Sequence, residues 1–166
     1  MNTYRRSLLA AAGAATLAPF MKSWAIPAVQ DERLVLANFP NGYMLPGAGW
    51  RGFSDRVMGG ISNAQLKSAA VAGKNCIRLT GNVTRESNGG FIQMAMYFGR
   101  SYDELDGSNY KGIEFLVYGN NEDYNLHVRT SDCGWYDQSY RTTFLAEPRW
   151  QRLRFPWEAL KGNSID

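Results

Sequence analysis

Two runs that join a double glycine to polar neighbours constrain this chain more than any other feature. Gly59-Gly60 lies in residues 55–62, DRVMGGIS, and Gly89-Gly90 lies in residues 88–91, NGGF. Adjacent glycines lose much conformational entropy on folding, so a chain keeps them where the backbone needs positive φ or leaves no room for a Cβ. Neither run stands between a strand and a helix, as a phosphate loop or dinucleotide fingerprint does. The runs therefore predict a specific backbone shape in a β protein, with their polar neighbours as a candidate site.

Short alternating segments separated by turns make up the rest of the chain. Strands are predicted at residues 34–39, 76–80, 91–98, 112–118, 124–130, 138–145 and 150–155. The segments 112–118 and 124–130 flank the turn sequence GNNED and are predicted to pair as a hairpin. Helices do not alternate with the strands. The pattern therefore predicts a single all-β domain over residues 26–166, folded as an antiparallel β-sandwich or jelly roll.

Residues 1–25 are typical of an export signal. Arg5 and Arg6 precede an apolar run at residues 8–20, and Ser23-Trp24-Ala25 has the small-x-small pattern of a cleavage site. The run is shorter than the roughly 20 residues that a membrane span needs, so no stable span is predicted. An arginine pair followed by two leucines is typical of a twin-arginine signal, and an ordinary secretory signal is the alternative. Either one predicts a periplasmic or secreted protein after cleavage near Ala25.

The formal charge argues against a nucleic-acid partner. The chain has 18 Lys and Arg and 15 Asp and Glu, and its excess of three is accounted for by Arg5, Arg6 and Lys22. Residues 26–166 therefore carry no net formal charge. A nucleic-acid-binding domain is normally basic, so neither nucleic acid nor an anionic membrane is predicted as a partner.

Few residues have the pattern of a catalytic or metal site. His127 is the only histidine, and one histidine with scattered carboxylates is a poor ligand set, so neither a metal nor another cofactor is predicted. No nucleophile elbow accompanies His127, so the chain is not predicted to be an enzyme. Cys76 and Cys133 are the only cysteines. In an oxidising compartment they either form a disulfide or remain two thiols, and sequence separation does not decide between these.

The double-glycine runs supply the candidate surface for a partner or ligand. Asp55 and Arg56 could bind a charged group there, or Asp55 could accept backbone N–H groups while Arg56 pairs with an acidic neighbour. Ser62 is interpreted as a turn hydroxyl. If the two runs lie side by side, they form one surface. Its predicted residues are Asp55, Arg56, Met58, Gly59, Gly60, Ser62, Asn88, Gly89 and Gly90.

Local residues offer three other interpretations: a sugar site, a calcium site and a glycosidase pair. Trp135 and Tyr136 follow a glycine in a predicted loop, where exposed rings would stack on a sugar. A calcium site would use the oxygens of an acidic loop, which contains Asp103, Glu104, Asp106 and Asn109. Asp55 and Glu86 would be the carboxylates of a glycosidase, although the sequence gives no distance between them.

Residues 50–62, WRGFSDRVMGGIS, resemble the signature of the complex I intermediate-associated protein 30 family. Six further motifs follow in the order that the family shows. They are residues 81–83 (GNV), 88–91 (NGGF), 110–114 (YKGIE), 124–129 (YNLHVR), 139–144 (SYRTTF) and 150–157 (WQRLRFPW). The resemblance extends from about residue 34 to residue 160.

The resemblance implies a β-sandwich like the galactose-binding domains. It also implies a non-catalytic role like that of respiratory complex I assembly factors, which act through protein–protein contacts. The alternative function is a module that binds a carbohydrate or another small ligand. Family members continue beyond the Pro-Trp motif, whereas this chain ends at residues 162–166, in a predicted loop. The resemblance therefore predicts a C-terminally truncated domain that lacks the last strands of the sandwich.

Overall fold

The computed structural model describes residues 33–86, 90–98, 104–134 and 138–163, which lie in one compact unit, Glu32–Asp166. These residues form eleven β-strands and short 3-10 turns, with no α-helix among them. All paired strands are antiparallel. The prediction of an all-β antiparallel fold is therefore confirmed. The predicted export signal lies outside the described residues.

The strands are short and follow one another with few residues between them. In chain order they are β1 Ala37–Asn38, β2 Tyr43–Met44, β3 Gly49–Ser54, β4 Asn63–Val71, β5 Lys74–Asn82, β6 Ile92–Tyr97, β7 Gly112–Val117, β8 Glu122–Val128, β9 Ser139–Ala146, β10 Gln151–Pro156 and β11 Lys161–Asn163. They pair as β1–β2, β3–β6, β4–β5, β7–β10 and the three-stranded sheet β8–β9–β11. No helix among the described residues is long and apolar enough to cross a membrane.

An aromatic cluster joins two of these sheets. Phe115 of β7 and Phe155 of β10 are in register positions that share one face, and their ring centroids are 5.8 Å apart. Phe144 of β9 lies 5.5 Å from Phe115 and 5.9 Å from Phe155, and Tyr124 of β8 stacks on Phe144. The β7–β10 sheet therefore packs face to face on the β8–β9–β11 sheet, as expected for a β-sandwich.

The predicted hairpin between residues 112–118 and 124–130 is wrong. β7 pairs with β10, and β8 pairs with β9. The turn between β7 and β8 is held instead by the end of β9, because Gly119 N–H donates to Glu147 O and Asn121 N–H donates to Ala146 O, both at 2.8 Å. The chain consequently crosses from one sheet to the other at this turn.

Two predictions at the ends of the domain also need correction. The strand predicted at residues 34–39 is reduced to β1, because a 3-10 turn with Pro40 in its first turn replaces it at Phe39–Asn41. The loop predicted at residues 162–166 is wrong for residues 162 and 163. They belong to β11, whose residues lie opposite Ser139, Tyr140 and Arg141 of β9.

Candidate functional site

The segment after β3 reverses direction through a capped 3-10 turn. β3 ends at Ser54, and the turn spans Asp55–Met58. The Ser54 hydroxyl accepts the Arg56 N–H at 3.5 Å, which caps the start of the turn. Gly59 closes it in a left-handed conformation, with φ of 88°, and donates its N–H to Arg56 O. Local residue chemistry therefore explains why the chain turns here.

The carboxylate of Asp55 holds this turn from inside the protein. Asp55 is 0% exposed, although it carries a charge. Its Oδ1 accepts the Ser62 N–H at 2.9 Å, while its Oδ2 accepts the Ser62 hydroxyl and the Gly90 N–H, each at 2.5 Å. A buried charge is tolerated when hydrogen-bond donors replace its water. We call Asp55, Ser62 and Gly90 the carboxylate hub.

The carboxylate hub joins the two double-glycine runs. Besides the Gly90 contact, Asp55 N–H donates to Phe91 O at 3.2 Å, and Gly60 N–H donates to Asp55 O at 2.9 Å. The structure thus places Gly60 and Gly90 against the same carboxylate-bearing residue. Asn88 and Gly89 of the predicted surface lie outside the described residues.

Backbone geometry requires glycine at both position 60 and position 90. A Cβ on Gly60 would come 2.5 Å from Asp55 Oδ1 and 2.8 Å from Asp55 Cβ, closer than real side chains approach. Gly90 has φ of 139°, a conformation that side chains with a Cβ rarely adopt. Gly60 is therefore explained by close approach and Gly90 by backbone conformation.

Hydrogen bonding keeps Asp55 ionised. Burial alone would raise the pKa of its carboxyl, but the donors from Ser62, Gly90 and Phe91 outweigh burial, so the pKa is lowered below its ordinary value. With its oxygens occupied and no exposed surface, Asp55 cannot reach a substrate. This geometry favours the structural interpretation of Asp55 and leaves no access for the glycosidase pair with Glu86.

Ser62 and Arg56 also form hydrogen bonds that hold the segment together. The Ser62 hydroxyl is buried and accepts the Thr84 N–H at 3.0 Å, which ties the hub to the chain after β5. Ser62 O accepts the Ser54 hydroxyl at 3.0 Å and Arg56 Nε at 3.1 Å. The acidic neighbour expected for Arg56 is therefore replaced by a backbone carbonyl.

The outer side of the turn presents apolar side chains to solvent. Val57, Met58 and Ile61 are 71%, 51% and 49% exposed, and we call these three residues the hydrophobic tip. A cleft of about 300 Å³ adjoins it, lined among others by Phe53, Arg56 and Val57. Sequence reasoning named Met58 but missed Val57 and Ile61. The available signal was three large apolar residues within a glycine-rich polar turn.

The remaining candidates form no second site among the described residues. Trp135, Tyr136 and Asp103 lie outside those residues, so sugar stacking stays a prediction. Asp106 accepts the Ser108 N–H at 2.9 Å within its own turn. In the described ranges, no group of three or more His, Cys, Asp or Glu side chains could hold a metal ion. Cys76 and Cys133 are free thiols.

His127 contacts a hydroxyl. Its Nδ1 lies 2.9 Å from the buried Ser139 Oγ. Burial lowers the pKa of the imidazole, and the nearby Arg141 guanidinium lowers it further. Because of this lowered pKa, the ring is neutral at pH 7, and its contact with Ser139 orients it on β8.

One comparison with known proteins finds a match. The family model described as complex I intermediate-associated protein 30 matches residues 42–164. This range covers most of the chain and contains both double-glycine runs, the carboxylate hub and the hydrophobic tip. No curated protein and no solved structure matches the chain.

Proposed function

This chain belongs to the complex I intermediate-associated protein 30 family, and we propose that it acts as a non-catalytic assembly factor that binds a protein partner through the hydrophobic tip. The family supports a role related to complex I assembly. The tip supports protein binding as the means, because three large apolar side chains exposed within residues 57–61 are typical of an interaction site.

The observation that carries the proposal is the combination of an exposed tip with a rigid base. Val57, Met58 and Ile61 face solvent, while the same turn is held by three hydrogen bonds to a buried carboxylate. Fully burying a Val, Ile or Met side chain contributes about 1.5–3 kcal/mol. A segment that is already ordered loses little entropy on binding, so more of this gain appears as affinity.

The non-catalytic part of the proposal is supported by the hydrogen bonding of the polar residues. Asp55 and Ser62 are buried and bonded to each other. His127 contacts Ser139, whose hydroxyl is also buried. A nucleophile or general base must reach substrate, and the buried side chains of Asp55, Ser62 and Ser139 do not. The export signal predicted at residues 1–25 supports a partner in the periplasm or outside the cell.

The test is in-cell crosslinking of the full chain, followed by affinity capture and mass spectrometry. The variant Val57→Ser/Met58→Ser/Ile61→Ser removes the tip. The matched control, Val35→Ser/Leu116→Ser/Leu145→Ser, removes three apolar side chains that are also exposed but lie elsewhere. We expect the tip variant to lose at least about tenfold of the crosslinked partner, since about 1.4 kcal/mol corresponds to a factor of ten.

Two outcomes would contradict this proposal. One is undiminished partner yield from the tip variant. The other is an equal loss from the control, which would attribute binding to general surface hydrophobicity. Thermal unfolding of both variants checks that each is folded, so a loss of partner is assigned to the surface alone.

A further inference from the structure

Strand pairing places three basic residues in a row on the β8–β9–β11 sheet. Arg141 of β9 lies directly opposite His127 of β8 on one side and Lys161 of β11 on the other. Directly opposed residues of an antiparallel pair share a face of the sheet. Side chains alternate along β9, so Arg141 lies on the face opposite Phe144, which packs in the aromatic cluster. The basic row, His127, Arg141 and Lys161, therefore faces outward.

The side chain of the central residue has no counter-charge within the described part of the chain. Arg141 is exposed, and among the described residues its side chain forms no ion pair or hydrogen bond. Lys161 Nζ donates to a backbone carbonyl, Glu158 O, at 3.0 Å, and no described carboxylate pairs with it. Like charges placed directly opposite each other destabilise a sheet. The opposed Arg141 and Lys161 therefore weaken the free protein, and an anion bound over the row would remove that cost.

Acidic side chains close to the row are committed elsewhere or lie at its margins. Asp132 is bonded to the hydroxyls of Tyr140 and Thr130. Asp123 is on the outward face of β8, but it is opposite Leu145, four residues along the strand from His127. That separation is about 13 Å at the usual rise of a strand, beyond the reach of an ion pair.

We propose that the basic row of His127, Arg141 and Lys161 binds an acidic segment of a protein partner. The proposal rests on the protein-binding function proposed above and adds a second contact surface to it. Adjacent strands lie about 4.8 Å apart, so the row spans about 10 Å. Carboxylates on successive turns of a helix are about 5–6 Å apart, which matches that spacing. An exposed row on the face of a sheet fits such a segment better than an enclosed small molecule.

The test uses a synthetic peptide of about eight glutamates, so its result is independent of whether the natural partner is recovered. Binding to the full chain is measured by calorimetry at low salt, where screening is weak. The variant Arg141→Glu/Lys161→Glu reverses two charges of the row. The matched control Lys67→Glu/Arg78→Glu makes the same charge change at an exposed cross-strand pair on β4 and β5. We expect the row variant to bind at least about tenfold more weakly, and the control to lose less than about threefold.

The His127 ring provides a second measurement, by NMR. A glutamate peptide over the row should raise the pKa of the imidazole, because nearby negative charge favours its protonated form. Equal weakening in both charge-reversal variants would overturn the proposal, since it would show attraction to net charge only. Inorganic phosphate that shifts the ring signal as strongly as the peptide would also overturn it, because a small anion would then be sufficient.

Discussion

At the scale of single residues, the carboxylate hub explains why a charged side chain lies inside a small β domain. Asp55 replaces its water with one hydroxyl and two backbone N–H groups. Ser62 matters most among the donors, because it supplies two of these three hydrogen bonds and also accepts from Thr84. The loss of the Ser62 hydroxyl would leave Asp55 Oδ2 with the Gly90 N–H alone and the Thr84 N–H without its acceptor.

We expect Ser62→Ala to lower the free energy of unfolding by about 1–3 kcal/mol, the usual effect of leaving buried polar groups without a partner. Urea unfolding followed by tryptophan fluorescence measures this change. Ser68→Ala, at an exposed position of β4, is the matched control and should change stability by less than about 0.5 kcal/mol. Similar losses in the two variants would show that the hub does not stabilise the fold.

The sequence predicted part of the hub. The residue types at Asp55 and Ser62 are typical of turn chemistry, and the hypothesis that the glycine runs lie side by side agrees with the contact between Asp55 and Gly90. The outward direction of Val57 and Ile61 was not predictable, because neither the 3-10 turn that contains Val57 nor the irregular segment that contains Ile61 has the alternation of a strand or the longer periodicity of a helix.

At the scale of elements, local pattern predicted seven of the eleven described strands, but not β2, β3, β4 or β11, and not how the strands pair. β5, β6, β8 and β9 contain the alternating apolar residues from which they were predicted. β4 was missed because Ala, Ser, Gln and Lys fill most of it, and such residues favour strands weakly. The wrong hairpin has a different cause. The partner of β7 is β10, which follows β8 and β9 in the chain, and no local signal in residues 119–123 points to the end of β9.

The turn at Gly119 offers a test at this scale. A Cβ on Gly119 would come 2.8 Å from the carbonyl carbon of Ala146, so Gly119→Ala must push the turn away from the end of β9. We expect it to destabilise the protein by about 1–3 kcal/mol, as overpacking does.

Gly49→Ala is the matched control for this substitution. Gly49 has no atom within 4 Å of a built Cβ and no positive φ. The control should therefore be neutral or stabilise by up to about 1 kcal/mol. If Gly119→Ala proves as stable as the control, the turn is not fixed by β9.

At the scale of the whole molecule, the charge balance of the sequence conceals local charge. Residues 26–166 carry no net formal charge, which led to the prediction of no basic patch. Strand pairing nevertheless brings residues 127, 141 and 161 into one row, because β8, β9 and β11 are neighbours in the sheet. Composition cannot show such a row, because the three residues become neighbours only when β8, β9 and β11 pair in this register.

Acid should destabilise the whole domain in two steps. The pKa of His127 is lowered by burial and by Arg141, so between its folded value and its ordinary value of about 6.5 the unfolded chain binds more protons. The stability that the neutral His127 ring permits is therefore fully present above about pH 6.5, and it falls as the pH decreases through that window. The pKa of Glu114 is lowered by hydrogen bonds from Arg154 and Arg152, which outweigh burial, and the pKa of Asp55 is lowered too. The stability that the ionised carboxylates of Glu114 and Asp55 contribute is lost at lower pH, below about pH 4.

Urea unfolding of the full chain at about pH 7.5, 5.5 and 3.5 separates the two steps, because stability follows the difference in bound protons between the unfolded and folded states. The urea midpoint of the unsubstituted protein should fall at each decrease in pH. His127→Gln carries no titrating ring, so its midpoint should fall less between the first two conditions and as much between the last two. An identical decrease in both proteins between about pH 7.5 and 5.5 would assign the first step to groups other than His127. Because the basic row predicts that a bound acidic segment raises the pKa of His127, adding the glutamate peptide should make this first step smaller in the unsubstituted protein.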